Sequence, residues 1–334
     1  MIEENSAWWG EGFTEWNNVK SASPQFPGHY QPHVPHRSIG YYDLLDKNFL
    51  KKQHALASKY GLYGFCYYYY YFNGRTLLDA PLKIVLKSRD IDVDFCLCWA
   101  NGSWTRAWYG QNTEVLISNQ YTLENAAGFM KSIIPYLNDD RYIRIEGKPL
   151  LLVYQPEDIP TCKEYSRVWR KIAVEHGLEG LYLTSVEALI FGVSPEEYGF
   201  DAAVEFAPDW TTTHLLSKIG EPQRIFDYVE TVKNMLLKQD LGYERYPCVF
   251  PGWDNAPRYK KAAVTFVNAK PGTFKYFLET TVKKCALKFP PEKRFIFINA
   301  WNEWGEGCHL EPDERHGYAY LHILRQVLEE CSQV

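Results

Sequence analysis

Apolar positions fall into short continuous runs, each followed by polar residues and most by an amphipathic stretch. Seven of these runs have the length of strands: residues 63–72, 94–101, 148–156, 181–188, 202–209, 246–255 and 295–301. Runs as uninterrupted as Leu-Leu-Leu-Val at 150–153 are typical of strands that are covered on both faces. The pattern therefore predicts buried parallel strands.

Helical periodicity fills the intervals between the runs, at residues 43–59, 79–88, 122–137, 161–175, 223–239, 273–288 and 318–331. Strand and helix alternate without a linker or repeat, which predicts one domain over residues 1–334 with an α/β fold, the (β/α)8 TIM barrel. A doubly wound sheet would accept seven strands, but no Gly-x-Gly-x-x-Gly motif follows any of them. The strand expected before Trp8 has no counterpart, so the barrel is predicted to lack its first strand, with a gap between strands 63–72 and 295–301.

Composition and charge exclude several classes of protein. The 36 basic and 41 acidic residues give a net charge of -5 without a long basic run, which argues against nucleic acid as a partner. The longest apolar stretch, residues 61–72, is too short for membrane insertion, and the N-terminus lacks a secretory signal, which predicts a cytoplasmic protein. The eight cysteines show neither Cys-x-x-Cys nor zinc spacing, which predicts free thiols and neither metal nor cofactor.

Aromatic residues are more numerous than a core requires: 11 Trp, 25 Tyr and 18 Phe, many of them beside polar residues. Sugar-binding clefts use such rings because pyranose faces stack on them while the ring edges hydrogen-bond hydroxyls. This predicts an oligosaccharide or polysaccharide as the substrate. In the tyrosine run 67–71, alternate rings of a strand face opposite sides, so most of these rings are predicted to pack between strands and helices.

Active sites of barrels lie at the carboxyl ends of the strands. The polar or indole residues that close the predicted strands are Asn101, Trp104, Arg106, Gln155, Glu187, Glu205, Asp209, Trp253, Asp254, Asn302, Glu303 and Glu306. In the densest segment, residues 299–307, Glu303 and Glu306 are separated by a Trp and a Gly and can turn into one pocket. The apolar wall of such a pocket raises the pKa of one carboxyl group by desolvation, while the neighbouring carboxylate stays ionised. Glycoside cleavage needs such a pair.

Five motifs carry a resemblance to a known family. They are residues 8–16 (Trp-Trp-Gly-Glu-Gly-Phe-Thr-Glu-Trp), 28–32 (Gly-His-Tyr-Gln-Pro), 95–101 (Phe-Cys-Leu-Cys-Trp-Ala-Asn), 147–149 (Gly-Lys-Pro) and 299–307 (Asn-Ala-Trp-Asn-Glu-Trp-Gly-Glu-Gly). Together they resemble the WbsX family, often labelled glycosyltransferase or lipopolysaccharide biosynthesis protein and related to glycoside hydrolase family 99. The resemblance covers nearly the whole chain and implies a (β/α)8 barrel that acts on carbohydrate.

Family 99 enzymes are retaining, endo-acting mannosidases or mannanases that are thought to work through a 1,2-anhydro sugar. The resemblance implies that Glu303 deprotonates the sugar 2-hydroxyl, and that Glu306 protonates the leaving oxygen and later activates water. An ordinary retaining pair differs, because one carboxylate attacks the anomeric carbon directly. Gly305 stands where those hydrolases often have a bulkier polar residue, which predicts a wider pocket or altered specificity.

Further side chains are predicted to bind the sugar. Residues 8–16 are expected to form a loop over the site, in which Trp9 and Trp16 stack on sugar rings and Glu11 and Glu15 accept hydrogen bonds. We expect the same cleft to include His29, Tyr30, Asn101, Trp104, Arg106, Glu205, Trp253, Trp301, Asn302 and Trp304. Structural packing is the alternative for each of these residues.

Two alternatives to a glycoside hydrolase stay open at this stage. A glycosyltransferase of O-antigen or lipopolysaccharide biosynthesis would use a nucleotide- or lipid-linked donor, but the sequence shows no Asp-x-Asp motif suited to a sugar nucleotide. A non-catalytic glycan-binding barrel would keep the tryptophans without the acid. The resemblance implies a mannose-containing or related bacterial surface glycan as the substrate.

Overall fold

A computed structural model describes residues 3–106, 111–218 and 220–331. Its helices are α1 (Glu3–Trp9), α2 (Glu15–Ser21), α3 (Lys47–Lys59), α4 (Ala80–Lys87), α5 (Leu123–Leu137), α6 (Cys162–Glu175), α7 (Tyr228–Leu236), α8 (Ala256–Tyr259), α9 (Pro271–Lys288) and α10 (Ala319–Cys331). Its strands are β1 (Gly64–Phe72), β2 (Arg75–Leu77), β3 (Asp94–Trp99), β4 (Trp104–Arg106), β5 (Gln111–Ile117), β6 (Arg144–Ile145), β7 (Lys148–Val153), β8 (Tyr182–Glu187), β9 (Ala202–Glu205), β10 (His214–Leu215), β11 (Arg224–Asp227), β12 (Arg245–Tyr246), β13 (Cys248–Val249), β14 (Val264–Val267), β15 (Phe297–Ile298), β16 (Asn302–Glu303) and β17 (Cys308–His309).

The centre of the fold is a parallel-rich sheet. Strands β1, β3, β7, β8, β9 and β12 pair in parallel in that order, and β13 pairs in parallel with β15. Pro247 lies between β12 and β13 and has no N–H to donate, which accounts for the break between these two short strands. All seven predicted runs contain strand residues. The sixth run is divided into β12, which belongs to the large sheet, and β13, which pairs with the seventh run, β15, in a separate two-stranded sheet.

Helices follow the strands as predicted, with one correction. The helix predicted over residues 223–239 is confined to α7, because the preceding Arg224–Asp227 is strand β11, paired with β10 and β14. Asp227 then caps α7, its side chain accepting a hydrogen bond from the Glu230 N–H at 2.9 Å. None of the described helices has the length and apolar character required to cross a bilayer.

The parallel strands end at β1 on one side, where the short strand β2 also pairs antiparallel with β1, and at β15 on the other. Within the described residues no ladder joins them, although the Phe65 and Trp301 rings meet edge to face at 5.5 Å between centroids. Residues 3–21 contribute the helices α1 and α2, so the prediction that residues 8–16 form a loop is wrong at both ends of that segment. The barrel with its first strand missing stays a prediction.

The tyrosine run on β1 divides between the two faces of the strand. Tyr69 and Tyr71 pack against Phe129 of α5, which confirms the predicted packing for these two rings. Tyr68 and Tyr70 point to the other face. Tyr68 meets Tyr154 at 5.5 Å and Tyr70 meets Trp104 at 5.0 Å between ring centroids, in edge-to-face contacts.

Candidate active site

Glu303 and Glu306 lie on a small hairpin that follows β15. Strands β16 and β17 pair antiparallel, and the turn between them, Trp304–Glu306, is a 3₁₀ turn. Glu303 comes directly before this turn and Glu306 ends it, and both carboxylates reach the same guanidinium, that of Arg258. Gly307 ends the turn with φ +57°, a left-handed conformation that favours glycine, and the Asp254 N–H donates to the Glu306 carbonyl at 2.7 Å.

One guanidinium lies at the centre of three carboxylates. Arg258 of α8 contacts Glu306 Oε1 through Nη1 at 2.8 Å and Glu303 Oε2 through Nη2 at 3.2 Å. It also contacts both oxygens of Glu15, through Nε at 3.2 Å and Nη2 at 3.3 Å. The Arg258 side chain is only 13% exposed, so these ion pairs are poorly screened by solvent. We refer to Arg258, Glu15, Glu303 and Glu306 as the carboxylate cluster.

Burial separates Glu306 from an ordinary glutamate. Desolvation raises the Glu306 pKa from 4.5 to about 7; Arg258 opposes this rise, and the charges of Glu303 and Glu15 add to it. The three carboxylates in turn raise the pKa of Arg258 well above its ordinary value against the effect of desolvation. A carboxyl group that keeps its proton near neutral pH beside a second carboxylate is equipped for acid catalysis.

Below the hairpin, a buried carboxylate anchors the segment. Glu311 accepts hydrogen bonds from Tyr42 Oη at 2.6 Å, Gln53 Nε2 at 2.7 Å and Trp304 Nε1 at 2.7 Å. Tyr42 Oη also accepts a hydrogen bond from Asn302 Nδ2 at 3.2 Å. Asn302 and Trp304, both predicted to bind sugar, therefore have partners within the protein, and they hold the chain on either side of Glu303.

Gly305 does not widen the pocket as predicted. A Cβ built on Gly305 would lie 2.3 Å from Glu15 Oε1 and 2.9 Å from Arg258 Nε. The space that a side chain would take is thus filled by the Glu15–Arg258 ion pair, and Glu15 reaches the site from α2 across the absent side chain. Any sugar contact that Glu15 makes is therefore made beside Glu306.

The N-terminal aromatic residues divide between packing and the site. Trp9 is buried, with its ring 5.9 Å from that of Phe13. Trp16 Nε1 donates to the Tyr42 carbonyl at 2.8 Å, and its ring lies 5.6 Å from Trp304, which joins α2 to the glutamate hairpin. Glu11 is exposed in the loop between α1 and α2.

His29 and Tyr30 lie beside Asp254 and Arg315. His29 Nε2 is 2.6 Å from Asp254 Oδ2, and His29 Nδ1 accepts the Gln25 N–H at 3.0 Å, so both ring nitrogens have protein partners. The Arg315 guanidinium lies over the Tyr30 ring, 4.3 Å from the ring centroid. These contacts favour packing over sugar binding for His29.

The remaining predicted residues are dispersed over the strand ends. Asn101 is fully buried and bridges two strand ends, donating to the Gln155 carbonyl at 2.7 Å and accepting the Gln155 N–H at 2.9 Å. Trp253 is buried edge to face against Trp210, with 5.5 Å between ring centroids. Trp301 is buried against Phe65, and the Arg106 side chain lies outside the described residues.

Glu205 belongs to a different ionic group. It pairs with Lys238 at 3.1 Å and with Arg245 at 2.8 Å; the same two cations bind Asp209 and Glu187 respectively. None of these four partners contacts the carboxylate cluster in the described ion pairs. The structure therefore does not bring Glu205 together with Glu303 and Glu306.

Four residues near the glutamates were not predicted to act there: Arg258, Tyr68, Tyr70 and Tyr154. The charges of Glu303 and Glu306 help to raise the Tyr154 pKa, and they do the same for Tyr70. Strand alternation on β1 offered a signal for Tyr68 and Tyr70. For Arg258, the only signal was its place four residues after Asp254, at the end of a predicted strand.

Among the described residues, one group has the composition of a metal site. His33, His309 and Asp313 each place one potential ligand atom within 4.8 Å of the others. His33 Nδ1 and His309 Nε2 are 3.1 Å apart, a hydrogen-bond distance, and the Trp304 ring stacks on His309 at 3.8 Å. At this distance one imidazole nitrogen can donate a hydrogen bond to the other.

Comparison with known proteins identifies the family. The model of the family described as "Glycosyltransferase WbsX" matches residues 1–324, nearly the whole chain. The chain belongs to the WbsX family. Two proteins named "Uncharacterized protein WxcX", from Xanthomonas campestris pv. campestris strains B100 and ATCC 33913, are 39% and 38% identical to this WbsX chain over its full length. The chain spans about half of their length, 48%.

Solved structures extend the likeness to the fold. A GH99 endo-alpha-mannosidase from Bacteroides thetaiotaomicron aligns with a TM-score of 0.62 and 14% identity, covering 98% of the WbsX chain and 94% of the mannosidase. A "Glycoside hydrolase-like protein" aligns with a TM-score of 0.62 and 13% identity over 94% and 91% of the two chains. At this identity the likeness is one of fold.

Trp104, a predicted sugar platform, stays partly open to solvent, and its ring lies edge to face with Trp8 at 5.6 Å and Tyr70 at 5.0 Å between centroids. We expect Trp104→Ala to weaken glycan binding by about 1–2 kcal/mol, the size of a lost stacking contact with its buried area. Calorimetry against a glycan that the wild-type protein binds measures this, with the buried Trp9→Ala as the matched variant. Unchanged affinity with a lowered Tm would assign Trp104 to packing.

Proposed function

We propose that this WbsX protein is a retaining, endo-acting glycoside hydrolase that cleaves a mannose-containing or related bacterial surface glycan. Glu306 is the general acid and later activates water, and Glu303 deprotonates the sugar 2-hydroxyl. The observation that carries the proposal is that Glu303 and Glu306 meet at one guanidinium, with Arg258 Nη2 3.2 Å from Glu303 and Nη1 2.8 Å from Glu306, in surroundings that raise the Glu306 pKa. The fold shared with an endo-alpha-mannosidase supports it.

The charge of the cluster favours a glycosidic substrate over a diphosphate. Three carboxylates and one guanidinium carry a net charge of -2 when all are ionised, and -1 when Glu306 is protonated. A sugar diphosphate brings negative charge and normally recruits free Arg or Lys donors or a metal. Four of the five Arg258 N–H groups already face carboxylates, so this cation is not free for a phosphate.

The family name keeps glycosyl transfer as the second candidate function. Asp-x-Asp spacing does occur in the chain, in the run Asp-Ile-Asp-Val-Asp at residues 90–94, but its place in the fold does not suit a donor site. It lies at the amino end of β3, whereas Asn101 and the cleft lie at the carboxyl end, and Asp90 pairs with Lys47 and Lys51. This position argues against a donor site there.

A paired assay tests the two functions. Purified protein is incubated with a panel of bacterial surface glycans, and products are analysed by mass; in parallel, consumption and binding of common nucleotide sugars are measured with and without Mg²⁺ or Mn²⁺. We expect slow glycan cleavage and no donor binding up to millimolar concentration. Micromolar donor binding that is lost in Arg106→Ala would replace the hydrolase with the transferase.

A further inference from the structure

The arrangement around Arg258 is more specific than a surface ion pair. Its guanidinium contacts Glu15 through two nitrogens and reaches Glu303 and Glu306 through the remaining edge. A planar guanidinium with fixed N–H directions can orient several carboxylates at once, which a lysine ammonium cannot do. Removing the group would leave three carboxylates facing one another in a poorly solvated space.

We propose that Arg258 is the positioning residue of this site: it holds Glu303 and Glu306 in their working arrangement, and Glu15 is the third carboxylate that fixes the guanidinium in place. This rests on the proposed roles of Glu303 and Glu306. Arg258 takes no proton and forms no bond to the sugar. It acts through the two glutamates: its N–H groups orient their carboxylates, and its positive charge lowers the Glu306 pKa.

The backbone that carries Arg258 is itself fixed. Asn255, which precedes α8, pairs with Val264 of β14 twice, since its N–H donates to the Val264 carbonyl at 3.1 Å and its Oδ1 accepts the Val264 N–H at 2.7 Å. The neighbouring Asp254 N–H binds the Glu306 carbonyl at 2.7 Å. The α8 segment and the glutamate hairpin are thus joined at both the main chain and the side chains.

Gly305 provides a second, independent sign of this arrangement. Only a residue without a Cβ leaves room for the Glu15 carboxylate and Arg258 Nε against the hairpin backbone, because a Cβ at position 305 would come within 3 Å of both groups. The backbone of Gly305 does not have a positive φ, so conformational freedom does not explain the glycine. Close approach of the ion pair does.

The sign of the electrostatic effect follows from the neighbours of Glu306. The charged and titratable groups that act on it or are acted on by it are Arg258, Glu303, Glu15, Tyr70, Tyr154 and Cys308. Of these, Arg258 is the cation that lowers the Glu306 pKa, and Glu303 and Glu15 raise it. Loss of the guanidinium charge therefore moves the Glu306 pKa upward, and the carboxyl stays protonated to higher pH.

A carboxyl titration tests the proposal without any substrate. Protein labelled with ¹³C at the glutamate side-chain carboxyl is titrated by NMR, and the Glu306 signal is assigned by its loss in Glu306→Gln. We expect a wild-type midpoint of about 7 and, in Arg258→Gln, a midpoint higher by about one unit or more. The matched control is Arg170→Gln, which removes an arginine of α6 that pairs with Asp201 and should leave the midpoint unchanged.

Arg258→Lys separates the orienting effect of the guanidinium from the effect of its positive charge. It keeps the positive charge, so the midpoint should stay near the wild-type value, whereas turnover should fall by at least about tenfold, because one ammonium cannot orient three carboxylates.

An unchanged midpoint in folded Arg258→Gln, or full turnover in Arg258→Lys, would overturn the proposal. If Arg258→Gln does not fold, the Arg258→Lys result decides. If the wild-type protein cleaves no glycan, the proposed function fails, while the Arg258→Gln titration still decides the role of Arg258.

Discussion

Glu306→Gln is expected to abolish cleavage of an unactivated glycan while leaving glycan binding nearly intact. The amide has the shape of the carboxyl group but cannot give a proton to the departing oxygen. General acid catalysis typically contributes ~10²–10⁴-fold, and turnover should fall by that factor. The amide can still accept a hydrogen bond from Arg258 Nη1, now at 2.8 Å from the Glu306 carboxylate, so the fold of the hairpin should persist.

Initial rates on a natural glycan and calorimetry of glycan binding measure the two halves of this expectation. The matched control is Glu314→Gln, an exposed glutamate in the same carboxyl-terminal segment, which should keep wild-type rates. A glycan with an activated leaving group needs less acid assistance and should lose less rate in Glu306→Gln. Retention of more than about a tenth of wild-type activity on the unactivated glycan would remove Glu306 from the role of acid.

The second large effect concerns the 2-hydroxyl of the sugar whose anomeric bond is cleaved. If Glu303 deprotonates this hydroxyl so that its oxygen attacks the anomeric carbon, a substrate with the hydroxyl removed or methylated has no nucleophile. We expect its cleavage to fall at least ~10²-fold, and Glu303→Gln on the normal substrate to fall similarly.

Product formation from matched 2-hydroxyl and 2-deoxy substrates measures this directly. Binding of both compounds to Glu306→Gln protein controls for recognition of the hydroxyl. The competing mechanism has Glu303 attack the anomeric carbon itself, as an ordinary retaining carboxylate does. Comparable cleavage of the 2-deoxy substrate with retained configuration would establish that mechanism instead.

The sequence was sufficient for the parts of the fold that depend on local pattern. Uninterrupted apolar runs such as 150–153 became buried strands, with Leu151 fully buried in β7. Local pattern was insufficient at residues 223–239, where pairing of Arg224–Asp227 with β14, about 40 residues on, overrides the helical periodicity. Sequence periodicity carries no information about such a distant partner.

The candidate site divides in the same way. The prediction that Glu303 and Glu306 share one pocket came from a single short motif at a strand end, and the Asn302 and Trp304 contacts lie within that motif. Arg258 was missed because its role depends on contacts with residues 45, 48 and 243 positions away. The reason for a glycine at position 305 was missed as well, since the Glu15 side chain that fills the space beside it comes from the opposite end of the chain.

The central claim is that water, and not an acceptor sugar, receives the glycosyl group. Cleavage of a surface glycan in H₂¹⁸O followed by mass spectrometry of the new reducing end tests it most directly. The account predicts one ¹⁸O atom at the anomeric carbon of the released fragment and loss of this product in Glu306→Gln. Absence of labelled product from every glycan, together with transfer of sugar from a nucleotide or lipid-linked donor to an acceptor, would contradict it.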